Sequence, residues 1–124
     1  MNPADLETSV QLILKAIQNT LNDSRGQWIL KNHIDARSEF ALSTPSKNLI
    51  IDRTFVDENN VRWIIDYKTS TCLEESLESF LSTEKQHYEK QLLGYSQALT
   101  VLDSRPIRVG LYFPLIPAWK EWAV

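Results

Sequence analysis

The sequence predicts a small α/β domain: a mixed β-sheet built around an antiparallel hairpin, with helices flanking it. Three observations lead there. Residues 48–70, NLIIDRTFVDENNVRWIIDYKTS, read as two strands joined by a short polar turn. Apolar residues recur at helical spacing in two long segments, one before that hairpin and one after it. The connection from the hairpin to the strand-like run IRVGLYF is long enough for a crossover, which makes that last pair parallel and right-handed. At 124 residues the chain is expected to form a single domain, 1–124, with a core that stands without staples.

In chain order, Asn2-Pro3 reads as a helix start, with Asp5 and Glu7 near the positive end of the helix dipole. Leu6, Val10, Ile13, Leu14, Ile17 and Leu21 then form one apolar stripe, as expected of a helix packed on the core. Asn22-Asp23-Ser24-Arg25-Gly26 ends it with turn chemistry. Residues 27–34 fit no single class, although Trp28, Ile29, Leu30 and Ile34 are candidates for the core. Residues 36–42 alternate as a strand, closed by Thr44-Pro45-Ser46. After the hairpin, residues 71–84 are rich in Ser, Glu and Thr and read as part short helix, part loop. A second helix is expected over 85–102, with Tyr88, Leu92, Tyr95, Leu99 and Leu102 on its buried side. Residues 107–113 form a short strand between prolines, and 118–124 fit either a last edge strand or a tail.

The turn length decides what the hairpin can do. With a four-residue turn, 57–60, Asp52 would face Ile65, and the two aspartates would lie on opposite faces. A three-residue turn, Glu58-Asn59-Asn60, sets Asp52 opposite Asp66 and Phe55 opposite Trp63, a favourable cross-strand aromatic pair. Such loops finish on a left-handed residue, which Asn60 tolerates. This second register gathers Asp52, Asp66 and Lys68 on one face and places Ile51, Phe55, Trp63, Ile65 and Tyr67 on the other. Charged groups in an apolar hairpin need partners, and a hard divalent cation such as Mg²⁺ takes carboxylate and carbonyl oxygens. Asp52 and Asp66, the backbone carbonyl of Tyr67, and Glu39 directly or through water are the candidate ligands. Lys68 stands beside them, suited to a metal-bound water or a phosphate. This is equipment for metal-assisted phosphodiester hydrolysis. Taken alone, a D-x-K on a strand is more often an exposed ion pair. The second aspartate across from it and the preceding Glu39 set this one apart.

Composition narrows the classes. The formal charge of −3 gives no strongly basic nucleic-acid footprint, so DNA affinity has to come from local patches, a metal or an attached partner. The single Cys72 excludes an internal disulfide and an iron–sulfur cluster, and fits a reducing cytoplasm. No apolar run reaches membrane-span length, and no basic-then-apolar leader or P-loop is visible.

Glu39, then IIDR with Asp52, IIDYKT with Asp66 and Lys68, and QLLGY with Gln91 and Tyr95 together resemble the RecB-family nuclease domain. This is the branch of the PD-(D/E)XK superfamily found in helicase–nucleases such as RecB and AddA. The resemblance covers roughly residues 36–113. It implies a restriction-endonuclease-like core and an exonuclease-type, Mg²⁺- or Mn²⁺-dependent deoxyribonuclease of DNA recombination and repair. Asp52 and Asp66 would then bind the metal, Lys68 would be the catalytic lysine, and Gln91 and Tyr95 would position DNA or brace the site. DNA and a helicase domain or subunit, in cis or in trans, are the implied partners. The chain departs from the family at Leu49, where a glycine is usual, and its first helix lacks the family's metal-binding histidine. His33 is the candidate replacement, while His87, beside Tyr88, reads as surface. The missing upstream histidine and the acidic balance motivate an alternative: a catalytically degenerate nuclease fold used for DNA or protein docking.

Overall fold

The computed structural model describes residues 3–124. A five-stranded mixed sheet runs in spatial order β1 (Ile34–Ser43), β2 (Asn48–Val56), β3 (Arg62–Tyr67), β4 (Ile107–Phe113) and β5 (Ala118–Ala123). Every pair is antiparallel except β3 with β4, which are parallel. The long α3 (Leu77–Thr100) makes the crossover between them, as the spacing requires. Residues 118–124, open between strand and tail in sequence, supply the β5 edge.

The two faces of the sheet carry separate cores. On one, α3 sets Phe80, Leu92 and Leu99 against Ile51, Ile64, Val109 and Leu111. On the other, the short α2 (Ser24–Leu30) brings Ile29, with Trp28 beside it, onto Phe55, Trp63, Ile65 and Tyr112. Alternation along β3 and β4 feeds both, so these central strands are apolar on each side. α2 forms because Asp23 caps it, accepting the Gly26 N–H at 3.0 Å. The same Oδ2 accepts the Tyr112 hydroxyl at 2.9 Å, which binds the helix to the sheet. Arg53 secures its other end by donating to the Ile29 and Lys31 carbonyls. In the ambiguous segment only Ile29 is fully buried, while Leu30 and Ile34 are exposed.

α3 begins at Leu77 with Ser76 as its cap, so the helix is longer than periodicity indicated. Its first turns carry Phe80 into the core, and tertiary packing overrides their Ser/Glu-rich composition. Leu102, expected on the buried side, is exposed just beyond the helix end.

The larger departure is α1 (Pro3–Asn22); Asn2 of the expected Asn2-Pro3 start lies outside the described residues. Its stripe of Leu6, Val10, Ile13, Leu14, Ile17 and Leu21 does not enter the core, and every one of these residues is exposed. The helix meets the protein through its small and polar side instead, where Ser9, Ala16, Asn19 and Thr20 are half-buried. Asn19 Nδ2 donates to the Pro114 carbonyl at 2.9 Å. Thr20 lies so close to α2 that a Cβ on Gly26 would strike its carbonyl oxygen and come within 2.8 Å of the Tyr112 hydroxyl. Periodicity specified an amphipathic helix, and hydrogen bonding chose which side of it docks.

Gly26→Ala is therefore expected to destabilise the protein by about 1–3 kcal/mol, the usual cost of overpacking against backbone. The check is its urea midpoint against that of the parent, and an unchanged midpoint would mean α1 and α2 can separate freely.

Candidate metal centre

The hairpin adopts the three-residue turn. Asp57 N–H donates to the Val61 carbonyl at 2.9 Å, and Asn60 takes a φ of 63°. Asp57 braces the loop through its side chain, accepting from the Asn59 and Val61 N–H groups and from Trp63 Nε1. Phe55 pairs with Trp63, and the β2–β3 ladder then runs up to the Arg53–Ile65 rung. One step further, Asp52 stands across from Asp66.

At that step the regular ladder gives way. Asp52 Oδ2 accepts the Tyr67 N–H at 2.9 Å, doing with a side chain what a backbone carbonyl would otherwise do. The neighbouring strand is distorted at the same level. Ser38 pairs with Arg53 and Phe40 with Ile51, while Glu39 between them, across from Asp52, takes a φ of 51°. One consequence corrects the simple alternation. Ile51 packs in the α3-side core, whereas Arg53, two residues on, reaches α2 on the opposite face. Phe55, Trp63, Ile65 and Tyr67 do share the α2 side, as expected.

The side chains at this break form a compact group. Asp66 is buried, and its Oδ2 lies 2.7 Å from Lys68 Nζ. Lys68 is therefore the charged partner of that buried oxygen. Burial foremost, and then the neighbouring Asp52 carboxyl, push the Asp66 pKa from 3.8 up to about 6, while Lys68 pulls against both. Lys68 is itself pinned, its ammonium 3.6 Å from the centre of the Tyr88 ring on α3. Sequence assigned Tyr88 to the buried side of its helix and missed this role. Tyr88 recurs in register with Leu92 and Tyr95, which signals core packing but carries no sign of a charged partner.

Other predicted residues fall around this group in different ways. Tyr67 contributes its backbone at the split, and its ring packs toward the α2-side core, where burial raises the phenol pKa. Glu39 is exposed on the neighbouring strand. Gln91 Nε2 donates to the Tyr95 hydroxyl at 2.8 Å, and the two line a cavity of about 650 Å³ between α3 and the β1–β2 turn. Tyr95 also packs against the α3-side core, so bracing and groove-lining coincide in one residue. His87 is exposed and lines a second cavity with Glu84 and Tyr88. His33 does not join the aspartates. It stacks on Phe55 at 3.9 Å, and its Nε2 lies 2.6 Å from the Trp28 carbonyl, on the α2 side of the sheet.

No protein-family model matches this chain, and no curated protein matches it. The functional reading therefore rests on the geometry of the site.

The donor set at the break fits a hard cation. Two carboxyls that face one another in a half-buried site must share a proton or take a positive charge between them. Among the described residues no group of three or more His, Cys, Asp or Glu side chains is placed to hold a metal, and Asp52 and Asp66 are the two acidic side chains that meet at the break.

In the metal-free protein the raised pKa of Asp66 has a definite sign. Between pH 3.8 and about 6 the folded chain keeps a proton that the unfolded chain has released. The stability from this group is complete in acid and is lost as pH rises through about 6. Asp66→Asn, which stays neutral, should thus be more stable than the parent at neutral pH by roughly 1–3 kcal/mol, with the gap closing below about pH 4. Thermal melts of both proteins in chelator across that range test it, and a gap that does not change with pH would contradict the assignment.

Proposed function

We propose that this protein is a metal-dependent DNA nuclease with a restriction-endonuclease-like core, hydrolysing phosphodiesters in the manner of the RecB-family exonucleases it resembles. One observation carries the reading: the Asp52 and Asp66 carboxyls and the Lys68 ammonium converge where β2 and β3 part. On this reading Asp52 and Asp66 hold Mg²⁺ or Mn²⁺, with the Tyr67 carbonyl and Glu39 as further oxygen donors. Such an ion, when bound, would supply Lewis-acid activation for phosphodiester hydrolysis. Lys68 directs its positive charge at the phosphate or orients the attacking water, and the Tyr88 ring keeps it from swinging into solvent. Asp52 holds its orientation through the Tyr67 N–H. The groove beside Gln91 and Tyr95 gives a strand a path along α3. The helicase–nuclease context, with a helicase in cis or in trans and a part in recombination and repair, belongs to the same reading. Among the described residues no helix is long and apolar enough to cross a membrane.

A second reading, a catalytically degenerate module that docks DNA or protein, is favoured by two features: among the described residues just two acidic side chains meet at the break, and His33 is turned away to the other face. Calorimetry separates the two. The nuclease reading expects saturable Mn²⁺ binding that disappears in Asp52→Ala, whereas the docking reading expects none in either protein.

Cleavage of linear DNA in Mg²⁺ is the direct test. Lys68→Ala is expected to lower single-turnover cleavage by roughly 10²–10⁴-fold with the fold intact, and Asp66→Ala to abolish it. Undiminished cleavage by both variants would refute the nuclease assignment.

A further inference from the structure

Helix α1 carries its most apolar surface on the side turned away from the rest of the protein. Leu6, Val10, Ile13, Leu14, Ile17 and Leu21 are each between 46% and 59% exposed, although the helix is already docked through Ser9, Ala16, Asn19 and Thr20. At about 100° per residue the two sets lie on different sides of the cylinder. A monomer rarely shows a contiguous apolar patch larger than a few hundred Å². Six half-exposed aliphatic side chains, at roughly 80–90 Å² each, come to about 500 Å² on one copy.

The spacing of the stripe says what fits over it. Its intervals of four, three, one, three and four residues read the same from either end. Laid antiparallel on a second α1, Leu6 meets Leu21, Val10 meets Ile17, and Ile13 meets Leu14 across a two-fold axis. Every apolar position then finds an apolar partner, which is the self-complementarity an isologous contact requires. Charge does not oppose it: in this register Glu7 beside the stripe lies across from Thr20, Lys15 falls on the far side of the helix, and the two helix dipoles run opposite ways. Two such stripes remove about 1,000 Å² from water, the size at which specific interfaces begin.

We infer that α1 is the contact between two copies of this chain, paired antiparallel through this stripe. The inference stands apart from the nuclease reading, since it uses no residue of the metal centre. It is tested with the full chain by analytical ultracentrifugation at micromolar concentration. The expected result is a dimer for the parent and a monomer for Ile13→Glu, with helical circular dichroism unchanged because the side chain is exposed in the monomer. Cysteine cross-linking in a Cys72→Ser background gives the geometry without disturbing the fold. Leu6→Cys mixed with Leu21→Cys should form disulfide-linked pairs on oxidation, and Leu6→Cys alone should not. A monomeric parent, as would follow if a different protein covers the stripe, overturns the inference. So does a dimer that survives Ile13→Glu, or self-cross-linking of Leu6→Cys.

Discussion

The hydrogen bond from the Tyr67 N–H to the Asp52 carboxylate is the contact on which the site depends. A strand whose partner diverges is left with unpaired backbone donors, and leaving them dry is costly. Asp52 satisfies one of them with its side chain, so the strands can separate without an orphaned amide. The same bond fixes the carboxylate where it meets Asp66, and so it links the end of a ladder to the start of a site. The irregularity spans both neighbouring strands, as the positive φ of Glu39 across from Asp52 shows. Backbone strain of this kind persists only where surrounding structure enforces it. Here the enforcement comes from both faces: Ile51 is held in the α3-side core and Arg53 is held by the carbonyls of α2.

The central strands explain why so small a sheet can hold charge in its interior. β3 and β4 are covered on one side by α3 and on the other by α2, and the low-dielectric surroundings that raise the Asp66 pKa come from those two layers. Lys68 is the counterweight, tied to Asp66 by an ion pair and to Tyr88 by its ring. Elsewhere the interior charge is compensated more completely. Arg62 is bound by Asp103 at 2.8 Å and by Asp35 at 2.7 Å, joining β1 and the α3–β4 connection to the turn end of the hairpin. In that cluster two carboxylates share one guanidinium, whereas at the break two carboxyls share the single Lys68 ammonium.

The two amphipathic helices show how periodicity is read by the fold. α3 presents its stripe to the sheet, and Phe80, Leu92 and Leu99 are buried. α1 has the more regular stripe of the two, yet it docks by its opposite side, because Asn19 and Thr20 make their contacts there and Gly26 leaves room for them. A stripe states that something covers the helix. It does not state that the covering surface belongs to the same core.

Much of this protein was legible in its residues alone. The turn at Glu58-Asn59-Asn60 set the hairpin register, because a side-chain period of two leaves one pairing that puts Phe55 against Trp63 and Asp52 against Asp66. The parallel crossover followed from the length of the connection, since a short loop cannot return a strand in the same direction. These are local or near-local constraints, and sequence carries them well. What only the tertiary structure decided depends on groups far apart in the chain. His33 was drawn to Phe55 and not to Glu39, Tyr88 was set over Lys68, Ile51 was turned to the α3 side, and α1 was seated on its polar side. Each of those outcomes is chosen by competition among packing surfaces and hydrogen-bond partners that exist only after the sheet has formed.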